Sequence, residues 1–123
     1  METLTARQAF EAMVLFLEQF YKSTHSDNVG GLLGDLQIVG DGMPADPAAW
    51  QDWISCANTE PLTVSQAFEC MKLFLKNYYE RIHATDADGL FKSLGIGESN
   101  QQPSSTIAQT WERSVLDMLK KQS

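Results

Sequence analysis

Basic residues are scarce in this chain, and positions 23–71 contain no Lys or Arg at all. Nine basic residues face sixteen acidic ones, for a net charge of −7. Phosphate binding needs clustered cations, so the balance argues against nucleic acid as a partner. Cysteine is almost missing as well. Cys56 and Cys70 are the only two, with no CxxC pair or His/Cys cluster, so neither a zinc site nor a disulfide framework is expected. No run of about 18 apolar residues occurs, which argues against a transmembrane helix. The opening METLTARQAF lacks a basic segment followed by an apolar one, so no secretory signal is expected and the default location is cytoplasmic. Period-two alternation is missing too: QIVG at 37–40 is the one candidate strand, and it is too short to found a sheet. The paired Gly30 and Gly31 lack phosphate-loop spacing, and no GxSxG elbow accompanies the Ser, His and Asp residues. No catalytic residue, cofactor or metal is therefore expected, and the chain does not read as an enzyme.

What the sequence does contain is a repeat of itself. LTARQAFEAMVLFLEQFYKSTH (4–25) returns as LTVSQAFECMKLFLKNYYERIH (62–83), with more than half of the aligned positions identical. A period of this size points to one structural unit used twice. His25 and His83 close the two segments. A residue placed twice at the end of a helix reads as a C-terminal residue rather than a general base.

The spacing predicts a helix from Leu4 to about Thr24. Thr5 and Gln8 form a potential capping box. Ala9, Phe10, Met13, Phe16, Leu17 and Phe20 form a broad apolar stripe. Thr63, Gln66, Phe68, Met71, Phe74, Leu75 and Tyr78 repeat the plan. A short helix follows each long one: DNVGGLLGDL (27–36), with Asp27 as cap, and TDADGLFKSL (85–94). Asp46 as N-cap and Pro47 at the first helical position then start a third helix. Its counterpart starts near Ser104 or Ser105, and Trp111 matches either Trp50 or Trp53.

These elements predict an all-α protein. Its single domain would hold about six helices in two tandem three-helix repeats, 4–58 and 62–121, joined by a linker at 58–61. One unit alone would leave an apolar face uncovered, so the two should pack about a pseudo-two-fold axis.

The copies differ in charge. Positions 1–61 hold nine acidic and two basic residues, whereas positions 62–123 hold seven of each. Helix caps account for Asp27 and Asp46. They leave Asp35, Asp41, Asp52 and Glu60 as a potential acidic face, suited to steering a basic partner. Trp50 and Trp53 flank Asp52 at a spacing that shares a helix face. One of the two is expected in the core and the other partly exposed; Trp53 is counted among the contact residues, since exposed Trp beside acids is a hot-spot composition. Val14, on the otherwise polar side of the first helix, is a possible self-association residue.

QAFEAMVLFLEQFY, GGLLGDLQ and DGMPADPAAWQDW together resemble the small acidic immunity proteins encoded beside bacterial polymorphic toxins, contact-dependent growth inhibition systems among them. The likeness covers most of the first copy and, more loosely, the second, where GIGESNQQPSS replaces the DGMPADP segment. The resemblance implies a cytoplasmic inhibitor that binds one cognate toxin domain, often a basic nuclease, and blocks its active site or substrate surface. Such a protein would be a monomer or a weak homodimer. The alternative is a helical adaptor or self-associating module without enzymatic activity.

Overall fold

The computed structural model describes residues 3–25, 27–36, 47–58, 61–81 and 105–122. Within them the protein is all-α, apart from a two-residue strand pair. In chain order the elements are β1 (Thr3–Leu4), α1 (Ala6–Thr24), α2 (Asp27–Leu36), α3 (Pro47–Cys56), β2 (Leu62–Thr63), α4 (Val64–Arg81) and α5 (Ser105–Gln122). The segment QIVG, the second short helix at 85–94, Asp46 and His83 lie outside the described residues.

The strand pair corrects the expected start of the long helices. Leu4 and Leu62 are not helical; they pair antiparallel, Leu4 with Leu62 and Thr3 with Thr63. Both leucines are buried, so the bridge places apolar side chains in the core while its backbone groups are paired. The helices begin just after it, where the capping boxes set them. Gln8 N–H donates to Thr5 Oγ1 at 3.1 Å, and Thr5 N–H donates to Gln8 Oε1 at 2.9 Å. Thr63 and Gln66 make the same reciprocal pair at 3.0 and 2.9 Å. Each box satisfies two backbone donors that a helix start would otherwise leave unpaired.

α1 ends at His25, whose backbone is left-handed (φ 55°) and whose N–H donates to the Tyr21 carbonyl at 2.7 Å. His25 is therefore a C-terminal cap, as its place in the sequence suggests. Asp27 is already the first residue of α2 rather than a flanking cap, while α3 does begin at Pro47.

The apolar stripe of α1 is the centre of the molecule. Ala9, Phe10, Met13, Phe16, Leu17 and Phe20 are all buried. Met71, Phe74, Leu75 and Tyr78 of α4 join them, with Phe68 packed at the edge. Each large apolar side chain taken from water in this way contributes about 1.5–3 kcal/mol. Val14, expected on the outer side of α1, is half-buried against this core. α5 lies along α1, and α3 packs on α4. α3, from the first half of the chain, thus packs mainly on the long helix of the second half, and α5, from the second half, on the long helix of the first.

Two tryptophans tie these layers together. The Trp53 indole N–H donates to the Ala6 carbonyl at 2.8 Å, and the Trp111 indole N–H donates to the Val64 carbonyl at 3.1 Å. Moving both partners of the first bond 58 positions along the chain produces the second. The rings around them follow the same shift. Trp53 packs on Phe10 at 5.9 Å and on Phe74 at 5.8 Å. Trp111 packs on Phe68 at 5.7 Å and on Phe16 at 6.1 Å. Trp111 is therefore the counterpart of Trp53, not of Trp50.

Candidate functional site

Helix α3 carries the one predicted contact region whose side chains are described. Ala49, Trp53 and Ala57 face inward, four residues apart. Ala48, Gln51, Ile54 and Ser55 face solvent, with Asp52 half-buried between them. The helical period sets this division, because residues three and four apart share a face.

The sequence places Trp53 among the contact residues; the structure corrects this. Trp53 is 0% exposed, with its indole N–H bound to Ala6 and the Phe10 and Phe74 rings in edge contact with it, so it belongs to the core. Trp50 is the half-exposed member of the pair, resting edge-on against Phe10 at 5.4 Å. The reason is angular: position 53 continues the buried line of Ala49 and Ala57, and position 50 falls beside it. Asp35 is placed by its backbone in α2, close to that helix's C-terminus. Asp41 and Glu60 lie outside the described residues. Asp52 is thus the one member of the predicted acidic set whose side chain the structure locates.

Sequence reasoning missed Ile54. It is 37% exposed and sits between Gln51 and Ser55 on the outer face of α3. The signal was available, since an Ile three residues after Gln51 and one before Ser55 lies on the polar side of the helix.

The electrostatics of this region are one-sided. α1 has Lys22 in its last turn, but α2 and α3 have no basic residue in theirs. The carbonyl end of a helix carries a partial negative charge. In α2 and α3 that charge adds to the carboxylates carried by the same helices. α4 is different: Lys72 pairs with Glu69 at 2.8 Å and lies 5.5 Å from the centre of the Phe68 ring.

A concavity of about 360 Å³ lies between α1 and α5. Phe16, Phe20 and Ile107 line it together with Gln19, Arg113 and Asp117. Arg113 and Asp117 stand one turn apart and carry opposite charge, so they do not converge on a ligand of one sign.

Among the described residues, no group of three or more His, Cys, Asp or Glu side chains gathers to hold a metal ion. No helix among them is long and apolar enough to cross a membrane. No protein-family model, curated protein or solved structure matches the chain.

Proposed function

We propose that the protein is an immunity protein. It binds a cognate, basic, nuclease-type toxin domain in the cytoplasm through the acidic side of its first half, and thereby neutralises it. The observation that carries this reading is the absence of any Lys or Arg between Lys22 and Lys72, combined with an outer face of α3 that is open to solvent around Asp52. A surface dominated by one sign of charge raises the encounter rate with a partner of opposite sign. Asp35, Asp41, Asp52 and Glu60 supply the charge, and half-buried Trp50 takes the aromatic place first assigned to Trp53.

The architecture that goes with this reading is two tandem three-helix repeats about a pseudo-two-fold. The matched Trp53–Ala6 and Trp111–Val64 bonds support it. So does the antiparallel pairing of Leu4 with Leu62, because a two-fold relating the halves would pass between these equivalent residues. In this arrangement the shared contacts hold the fold, and the unshared charge is free to serve binding.

The test is co-purification with the C-terminal domain of a toxin encoded immediately upstream, followed by calorimetry on charge-reversed variants. Reversal of Asp41 and Asp52 to Lys weakens binding several-fold more than reversal of Glu98 and Asp117. Equal losses from both pairs would remove the acidic face from the binding site.

One observation favours the alternative reading, a self-associating helical module. Leu73 on α4 and Leu116 on α5 are 49% and 55% exposed, more than any other described large apolar side chain. Light scattering separates the readings: a stable homodimer that Leu73→Glu or Leu116→Glu breaks would replace the immunity assignment.

A further inference from the structure

The two cysteines, far apart in the repeat pattern, meet where α3 packs on α4. Cys56 is the last residue of α3 and Cys70 lies in the second turn of α4. The Cys70 thiol donates to the Cys56 carbonyl oxygen at 3.3 Å. Both thiols are free and half-buried. They open into a shallow depression of about 360 Å³, shared with Asn58, Leu62, Gln66 and Glu69. A carbonyl oxygen sits about 3 Å from the Cβ of its own residue, so the Cys70 sulfur is within roughly 6 Å of the Cys56 Cβ. In a bridge that sulfur would stand about 3 Å from the Cys56 Cβ, with the two Cβ atoms roughly 4 Å apart, so the pair must close by up to roughly 3 Å. Cys56 ends its helix, where a change of rotamer and a small backbone shift disturb the fewest helical hydrogen bonds.

The other long-helix seam has no such pair. A shift of 58 positions leads from Cys70 to Ala12 and from Cys56 to Ser114. The Ser114 hydroxyl turns back to the Thr110 carbonyl at 2.9 Å. Thiol chemistry is therefore confined to the seam between α3 and α4.

We propose that Cys56 and Cys70 are an oxidisable dithiol, which a two-electron oxidant of the hydroperoxide class converts into an intramolecular disulfide fastening the end of α3 to α4. In the first step the thiolate of one cysteine attacks a peroxide oxygen. The O–O bond breaks, leaving a sulfenic acid, and the expelled hydroxide takes the thiol proton to become water. In the second step the other sulfur attacks the sulfenic sulfur. The S–S bond forms, the S–O bond breaks, and the leaving oxygen departs as a second water with that thiol's proton. Two thiols give up two electrons and two protons, and one hydroperoxide takes them. Burial first, and then the neighbouring thiol and carboxylates, hold both sulfurs in the protonated form at neutral pH. Only the small thiolate fraction attacks the peroxide, so the resting pair oxidises slowly even when the oxidant is present.

The experiment treats the folded full-length chain with a small excess of hydrogen peroxide, then alkylates with iodoacetamide and records intact mass. The expected product is a monomer 2 Da lighter that takes up no alkyl group and yields a peptide joining Cys56 to Cys70. Its thermal midpoint rises, on the order of 10 °C for a loop of about 15 residues, and a reducing agent reverses the shift. Cys56→Ser and Cys70→Ser, each folded by circular dichroism, give no such species and instead accumulate sulfenic or sulfinic acid. A wild-type chain that still takes two alkyl groups after oxidation would overturn the proposal. So would one that forms only disulfide-linked dimers or over-oxidised monomers.

Discussion

The Trp53 indole reaches across 47 residues to donate a 2.8 Å hydrogen bond to the Ala6 carbonyl. That carbonyl belongs to the first turn of α1, so the bond fixes α3 to the start of the long helix. Phe10 and Phe74, from α1 and α4, pack edge-on against the same ring. One side chain therefore joins three helices. Trp111 does the same in the second half, with a longer bond and slightly more exposure.

Replacing Trp53 with Phe keeps an aromatic ring but removes the donor and part of the ring volume. The expected cost is about 1–3 kcal/mol, from one lost hydrogen bond and a partly filled cavity. Trp111→Phe costs less, because its bond is 3.1 Å and only partly buried. Trp50→Phe costs least, since Trp50 is half-exposed. Urea unfolding of the three variants gives the order; a Trp53→Phe loss no larger than that of Trp50→Phe would contradict this account of the core.

The two capping boxes predict a matched pair of effects. Thr5→Ala and Thr63→Ala each remove the hydroxyl acceptor of an N3 amide and should cost about 1 kcal/mol. Thr5→Ser and Thr63→Ser keep the acceptor and should recover most of it. Thermal unfolding of the four variants checks this. An Ala variant as stable as its Ser partner would show that the box adds nothing beyond the helix itself.

The long helices, their caps and their buried stripes were legible in the sequence because each is a local pattern. The capping box needs residues three apart, and the stripe of Phe10, Met13, Leu17 and Phe20 needs only the helical period. The β1–β2 bridge was not legible. Two residues are too few to show alternation, and the pairing of Leu4 with Leu62 is set by how the halves pack. That Trp53 rather than Trp50 enters the core was not legible for a related reason. Both rings fit the apolar side of α3, and whether the line of Ala49, Trp53 and Ala57 turns inward depends on contacts remote in sequence, the Ala6 carbonyl among them. The meeting of Cys56 and Cys70 depends in the same way on α3 crossing α4. The acidic bias of the first half is visible in composition alone, but which of its carboxylates share a surface is a tertiary property.

Glycine substitutions in α2 separate space from propensity. A Cβ on Gly31 or Gly34 would meet nothing within 4 Å, whereas one on Gly30 would lie 3.0 Å from the Tyr21 ring. Helical Gly is disfavoured against Ala by about 0.5–1 kcal/mol. Gly31→Ala and Gly34→Ala should therefore each raise stability by about that amount. Gly30→Ala should gain less, because the Tyr21 ring, itself 37% exposed, must first move aside. Thermal midpoints of the three variants test the order. A gain at Gly30 equal to that at Gly31 would show that the Tyr21 contact places no constraint on α2.

The reduced thiols predict a stability loss in alkali. Burial raises the pKa of Cys56 above 9.0, followed by the influence of Cys70 and Asp52; burial and then Glu69 raise that of Cys70. The folded state thus holds both thiol protons more tightly than the unfolded chain does. Their contribution is fully present below pH about 9 and is lost as the pH rises through the folded-state values. In the presence of a non-thiol reductant, the urea midpoint of the wild-type chain should fall more steeply above pH 9 than that of the Cys56→Ser, Cys70→Ser double variant. Below pH 8 the two curves should run parallel, because neither state has yet released a thiol proton. Since every other ionisable group is common to both proteins, the difference between the curves isolates the two sulfurs. Curves that remain parallel to pH 10.5 would mean that the folded seam does not disfavour the thiolates.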